Sequence, residues 1–283
     1  MTDIEKEKVL RLIREALKED IGDGDHTSMA TIPKEARGKV KMLAKQEGII
    51  AGVEVASLVF IEVDPSLKIV SYKNDGSVIT PGDIIMTIEG SSRSMLSAER
   101  IALNFIQRMS GIATYTNSIS KIISDLNTKL LDTRKTTPNN RIVEKLAVVY
   151  GGGTNHRFGL YDMIMIKDNH VDFAGGIRNA IEATNKYLKT NGKNLKIEIE
   201  VRNFKELEEA LETGGIDRIM LDNFTPDELK NAVEKIDGRF ETEASGGITK
   251  DTIREYALTG VDFISVGALT HQIKSLDISL ITN

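Results

Sequence analysis

The chain contains no cysteine. That absence excludes a disulfide framework, a thiolate nucleophile, a zinc finger and an iron–sulfur cluster held by protein sulfur, and it fits a cytoplasmic, reducing environment. Proline is scarce, at 5 of 283 residues, beside 23 glycines. With 40% apolar and 28% charged residues, this excludes disorder, collagen-like repeats and low complexity for the chain as a whole. No long basic run exists and the formal net charge is -5, which argues against a broad cationic face for nucleic acid. The most apolar stretch, residues 49–63, is interrupted by Glu54 and Glu62 and falls short of the roughly 20 apolar residues of a membrane span. The first twenty residues alternate acids and bases around Ile4, Val9, Leu12, Ile13 and Leu17, which is helical spacing without the apolar core of a secretory signal. The four histidines, His26, His156, His170 and His271, show no paired ligand spacing for zinc.

What remains is enough chain for one large domain or two unequal ones. Between Gly38 and about Gly90, strand-like runs at 39–44, 67–72 and 84–88 carry turn signals at Asn74-Asp75-Gly76 and Thr80-Pro81-Gly82, with a helical segment at 53–63. A helix through Leu96, Ile101, Phe105 and Met109 follows, and Gly111 is expected to interrupt it. The expected organisation is therefore a small α+β domain over residues 1–111 and a second domain over 112–271. From Thr128 onward six strand candidates, 129–131, 163–166, 196–201, 218–221, 240–244 and 262–266, each precede a plausible helix. Asn203 with Glu206, and Thr225-Pro226 with Glu228, have the spacing of helix caps. Strands alternating with helices imply a parallel sheet. Six units are too few for a closed eight-fold barrel of about 250 residues, so an open, incomplete α/β barrel is favoured, with a doubly wound sheet as runner-up.

In a parallel α/β domain the carboxyl ends of the strands form the active face. Asp132, Arg134 and Lys135 follow the first strand, Lys167-Asp168-Asn169-His170 the second, and Glu198, Glu200 and Arg202 lie along the third. Asp222-Asn223 end the fourth, Ser245-Gly246-Gly247 the fifth and Gly267 the sixth, with His271 beyond. Any one of these residues suits an ordinary turn or cap; six at one rim point to chemistry. Ser245-Gly246-Gly247 before Thr249 reads as an anion-binding turn at a helix start, and Gly267-Ala268 repeats it on the next strand. No Walker or dinucleotide-binding glycine pattern occurs there. Arg134, Lys135, His156, Arg157 and Lys167 would form a cationic pocket for a small polyanion. Glu200 and Asp222 fit beside it if Mg²⁺ joins them to the same anion.

These motifs are familiar as a set. Asp132-Thr133-Arg134-Lys135-Thr136-Thr137-Pro138, Gly151-Gly152-Gly153-Thr154-Asn155-His156-Arg157, Ile166-Lys167-Asp168-Asn169-His170 and Leu221-Asp222-Asn223 closely resemble the quinolinate phosphoribosyltransferase family, the carboxylating nicotinate-nucleotide pyrophosphorylases. So do Glu243-Ala244-Ser245-Gly246-Gly247-Ile248, Val266-Gly267-Ala268-Leu269-Thr270-His271, and the opening Glu19-Asp20-Ile21-Gly22 with Gly24-Asp25-His26-Thr27. One departure is Asn139-Asn140, where the family more often has Gly-Leu.

The resemblance implies conversion of quinolinate and phosphoribosyl pyrophosphate, with Mg²⁺, to nicotinate mononucleotide, pyrophosphate and CO₂ in NAD synthesis. It implies that Arg134, His156, Arg157 and Lys167 bind quinolinate, with Arg100 reaching in from a neighbouring subunit of a homodimer or a hexamer of dimers. Lys135, Glu200, Asp222, Ser245, Gly246, Gly247, Gly267, Ala268 and His271 fall to the phosphoribosyl side, with Lys135, Lys167, Glu200 and Asp222 catalytic and Glu200 and Asp222 on the metal. It also implies that the small N-terminal domain is an α+β sandwich and that the tail, 272–283, returns to it. A related transferase for another base and a silent phosphate-ligand binder are the alternatives.

Overall fold

A computed structural model describes residues 1–282. The chain begins with α1 (Asp3–Ile21), started by a capping box in which Thr2 accepts from the Glu5 amide and Glu5 answers to the Thr2 amide. Then come α2 (His26–Thr31), β1 (Arg37–Ala44), β2 (Gly48–Ile49), α3 (Val53–Val63), β3 (Lys68–Ser71), β4 (Val78–Ile79), β5 (Ile84–Ser91) and α4 (Ser92–Ser120). The repeating part follows as β6 (Lys129–Leu131), α5 (Arg141–Tyr150), β7 (Ile164–Ile166), α6 (Asp168–Ala174), α7 (Ile177–Thr190), β8 (Ile197–Val201) and α8 (Phe204–Thr213). It closes with β9 (Arg218–Asp222), α9 (Pro226–Ile236), β10 (Glu241–Ser245), α10 (Ile253–Ala257), β11 (Phe263–Ser265), α11 (Ala268–His271) and β12 (Ile278–Thr282).

Packing gathers these elements into two units. Unit 1 takes residues 1–117, 135–152 and those from 268 onward; unit 2 takes 118–134 and 153–267. This differs from a single cut at residue 111 in placing residues 112–117, 135–152 and 268–271 with unit 1, while β12 pairs with β1, where the tail was expected to return.

In unit 1 a four-stranded antiparallel sheet has the order β12-β1-β5-β3. Val40, Met42 and Ala44 of β1 alternate into the core, as a half-buried strand requires. β12 pairs antiparallel with β1, from Val40 opposite Thr282 to Ala44 opposite Ile278. The start of α3 is held from a distance: Asp75 Oδ1 accepts from the amides of Gly52 (2.6 Å) and Val53 (2.8 Å). The expected break at Gly111 does not occur, since α4 runs through it. A glycine costs a helix about 1 kcal/mol, and here packing overrides that. A Cβ at Gly111 would lie 2.4 Å from the Lys274 carbonyl oxygen and 3.0 Å from Ile273 Cγ2, so the glycine admits a neighbouring segment.

Unit 2 is a six-stranded sheet of order β6-β11-β10-β9-β8-β7 whose neighbouring strands pair in parallel. Among the described residues β6 and β7 pair with no seventh strand, which is the open α/β arrangement rather than a closed ring. Thr225 and Glu228 form a capping box with Pro226 in the first turn of α9, and Asn203 caps α8. No helix among the described residues is long and apolar enough to cross a membrane.

Candidate active site

Because the strands of unit 2 run parallel, their carboxyl ends share one edge. Sheet order therefore sets Gly267 (after β11), Ser245 (β10), Asp222 (β9), Glu200 (β8) and Lys167 (after β7) side by side. Ser245 is the register partner of Asp222, and Glu200 that of Met220. Lys167 Nζ stands 3.7 Å from Glu200 Oε2. Burial raises the Glu200 carboxyl above its ordinary range; Lys167 opposes this, and the charges of Asp222 and Asp168 reinforce it. Asp222 is raised too, first by burial, while the Asn223 amide, the Lys167 charge and a bond from Ser245 act the other way. Two carboxylates beside one lysine, on neighbouring strands, are oxygen donors of the kind Mg²⁺ takes together with substrate phosphates.

Two residues further down the same strand faces lies a buried polar cluster. Glu198 and Glu243 are 0% exposed, and Arg218, register partner of Glu198, is 8% exposed. His156 joins them from the loop after α5. Its Nε2 is 3.0 Å from Glu198 Oε2 and 3.3 Å from Glu243 Oε2. Arg218 Nη1 donates to Glu243 Oε2 at 3.2 Å, and its Nη2 to Glu241 Oε2 at 3.0 Å. On its other side the His156 ring accepts the Arg157 amide at Nδ1, 2.6 Å away, and the His156 amide donates to Asp132 Oδ1 at 2.8 Å. Thr154 and Leu131 form a parallel bridge, so the segment is tied to the end of β6.

Burial opposes a charged imidazole, while the carboxylates of Glu198 and Glu243, 3.0 and 3.3 Å from Nε2, pull its pKa upward. The Nδ1 geometry sets the contrary demand, because a nitrogen that accepts an N–H carries no proton of its own. The neutral ring protonated at Nε2 keeps Nδ1 as the acceptor of the Arg157 amide and sets the Nε2 proton against the two carboxylates, and charging it must cost the Arg157 bond. Glu198 is pushed up to about 7 by burial and by the Glu243 charge. Glu243, although burial raises it, is held low by His156, Ser265 and Arg218.

Arg157 is lowered by burial and by the Arg134 charge, with Glu198 and Asp162 opposing, so the two arginines and Glu198 share one electrostatic neighbourhood. Arg157 Nη1 donates to the Met163 carbonyl at 3.3 Å. Glu198 and Glu243 stand out in the sequence only as charges at alternate positions of two strands. Their convergence on His156 becomes visible only in the sheet pairing. His170 is a local cap: its Nδ1 accepts the Lys167 amide at 2.9 Å.

Unit 1 carries the other expected residues. Arg100 is exposed on α4, Lys135 is exposed, and Ala268 and His271 delimit α11. A buried ion pair braces this region. Glu144, 0% exposed, accepts from Arg108 Nε (2.9 Å) and Nη2 (2.8 Å) through Oε1, and from the Thr137 amide (3.1 Å) through Oε2. Arg108 Nη2 also donates to the Thr270 carbonyl at 3.0 Å, and Thr270 Oγ1 to the Lys135 carbonyl at 2.8 Å. The loop of Lys135 and the turn before His271 are thereby linked. Asn139 has φ 66°, the left-handed conformation that glycine adopts freely and asparagine tolerates, so the departure from Gly-Leu keeps a residue suited to that backbone.

One expectation needs correction. α10 begins only at Ile253, five residues long, after a Thr249–Thr252 turn. Ser245-Gly246-Gly247 is accordingly a glycine loop at a strand end, not the first turn of a helix.

A family model described as the quinolinate phosphoribosyl transferase N-terminal domain matches residues 25–110, and its C-terminal counterpart matches 112–281. The chain belongs to the quinolinate phosphoribosyltransferase family. Among relatives, the chloroplastic carboxylating nicotinate-nucleotide pyrophosphorylase of Arabidopsis thaliana is 47% identical over 95% of this chain and 81% of its own. The probable carboxylating nicotinate-nucleotide pyrophosphorylase of Bacillus subtilis is 42% identical over 95% and 92%. The solved nicotinate-nucleotide pyrophosphorylase of Francisella tularensis superposes with a TM-score of 0.91 at 41% identity, covering 98% of this chain and 96% of that one. Family membership thus spans both sheets, and Lys167, Glu200, Asp222 and Ser245 lie along the strand-end rim of unit 2.

Proposed function

We propose that this chain transfers the phosphoribosyl group of phosphoribosyl pyrophosphate to quinolinate, with decarboxylation, to give nicotinate mononucleotide, pyrophosphate and CO₂. The observation that carries the reading is the unbroken row of Lys167, Glu200, Asp222, Ser245 and Gly267 along one sheet edge in a chain of this family. The quinolinate dianion falls to Arg134, Arg157 and Lys167, with His156 in the same group and its ring turned into the buried cluster. Glu200, Asp222, Ser245, Gly246 and Gly247, together with Gly267, serve the donor. From unit 1 the family resemblance adds Lys135, Ala268 and His271 to the donor side and Arg100 to the site of a neighbouring subunit, in a homodimer or a hexamer of dimers. Zero cysteine suits a cytoplasmic setting.

The chemistry follows from the charges. Departure of pyrophosphate leaves oxocarbenium-like charge at the anomeric carbon, and the quinolinate nitrogen forms the new bond there. The carboxylate beside that nitrogen is then lost as CO₂; the electron pair of the broken C–C bond stays on the ring carbon, stabilised by the adjacent ring cation, and a proton from solvent takes the place of the lost group. Lysine and arginine hold the anions in line, and Glu200 and Asp222 favour the developing cation. Mg²⁺, held by Glu200 and Asp222, would supply charge neutralisation to the leaving group.

The deciding experiment incubates purified protein with quinolinate, phosphoribosyl pyrophosphate and Mg²⁺ and follows CO₂ and nicotinate mononucleotide. Both products are expected. Their absence refutes the reading, and turnover of nicotinate but not quinolinate assigns a different base.

A further inference from the structure

Within the buried trio of His156, Glu198 and Glu243, the two glutamates have no part in the chemistry above. Two carboxylates that are 0% exposed lie on one imidazole nitrogen. Uncompensated buried charge is strongly destabilising, so such an arrangement persists only where the groups answer one another. Arg218 beside Glu243 supplies a fixed positive charge, which also disfavours a metal ion among the three despite ligand atoms within 4.8 Å of one another. Toward the quinolinate residues the trio leads through Arg157. Carboxylates at Nε2 favour a proton there, which leaves the lone pair of Nδ1 for the Arg157 amide. The backbone of Arg157 is thus held by the ring, the ring by the carboxylates, and Glu198 also offsets the repulsion between Arg157 and Arg134.

We propose that Glu198 and Glu243 are positioning residues for quinolinate: by holding His156 Nε2 between them they fix the ring that anchors the Arg157 amide, and so aim the Arg157 guanidinium at a substrate carboxylate. This rests on the function proposed above. Neither glutamate touches substrate, and both act through His156.

The test uses the full-length protein with Glu198→Gln and Glu243→Gln, which keep shape and remove the negative charge. Each is expected to raise the KM for quinolinate about tenfold, the scale of one lost hydrogen bond, while kcat and the KM for phosphoribosyl pyrophosphate stay within about twofold. A merely structural role would lower thermal stability and leave the two KM values unchanged or moved together, and that result overturns the proposal. Combining Glu198→Gln with Arg157→Lys should add little to the Arg157→Lys defect; full additivity also overturns it. Two readouts need neither turnover nor a folded variant. In the wild-type protein the nitrogen chemical shifts of His156 should report Nε2 protonated and Nδ1 bare at neutral pH, and the Arg157 amide should exchange slowly with solvent. A ring protonated at Nδ1, or a freely exchanging amide, refutes the positioning role. Failure of wild-type turnover with these two signatures intact would count against the substrate reading instead.

Discussion

Two adjacent glycines in the candidate donor loop should respond very differently to the same methyl group. Gly246 has φ 103° and Gly247 has φ 59°, both outside the conformations that L side chains prefer. For Gly247 that is the whole cost, since a Cβ there meets nothing within 4 Å; a left-handed residue costs about 1–2 kcal/mol. At Gly246 a Cβ would lie 2.3 Å from Asn223 Oδ1, 2.7 Å from its Cγ and 2.9 Å from its backbone nitrogen. The side chain can rotate away, but the amide cannot move freely because it donates to the Ser245 carbonyl at 2.9 Å. Overpacking of this kind adds about 1–3 kcal/mol, or it drives the loop after β9 away from Ser245 and disturbs Asp222 beside it. With roughly 2–4 °C of Tm per kcal/mol for a chain of this size, Gly247→Ala should lower Tm by a few degrees. Gly246→Ala should lower it about twice as far and raise the KM for phosphoribosyl pyrophosphate as well. Calorimetry and initial-rate kinetics on the two variants decide the matter. Equal behaviour of the two alanines would refute the packing argument.

Three further outcomes follow from the structure. Glu144→Ala leaves the partly buried Arg108 without its carboxylate and should cost about 3 kcal/mol, read as a lowered denaturation midpoint with m unchanged. Asp75, raised by burial despite its bonds to the start of α3, has a higher pKa folded than unfolded, so its stabilising contribution is present at low pH and is lost as pH rises through the folded value. The Tm of Asp75→Asn relative to wild type should accordingly climb from pH 4 to pH 7; a flat difference contradicts the shift. Mixing Arg100→Ala with inactive Lys167→Ala protein should restore part of the activity if Arg100 serves a neighbouring subunit, and no recovery on mixing argues for a site within one chain.

The six parallel strands could be read from sequence because each is a short apolar run ending in a charged or glycine-rich turn, and parallel topology then forces those ends to one edge. Helix α3 was equally readable, bounded by Gly52 and Asp64. Gly111 misled because its local preference is weak beside the approach of residues 273–274, which lie far along the chain. The glycine loop after β10 was readable, but the start of α10 was not, since Thr249 and Thr252 both have cap chemistry and only the Thr252 hydroxyl receives the Thr249 amide. Glu198 and Glu243 looked like rim carboxylates in a linear reading. Whether a strand glutamate faces solvent, a metal or a buried histidine depends on its neighbours across the sheet.

The pairing of β12 with β1 has a consequence for biosynthesis. More than two hundred residues separate the two strands, so on the ribosome β1 emerges early and keeps a bare edge until the distant strand arrives. An open edge of this kind recruits foreign strands. Everything in unit 2 between residues 153 and 267 is translated before that edge can be closed, and it can fold while unit 1 waits. Shortening the chain by its last strand should therefore harm the part made first, as aggregation of the nascent chain, more than the part made last.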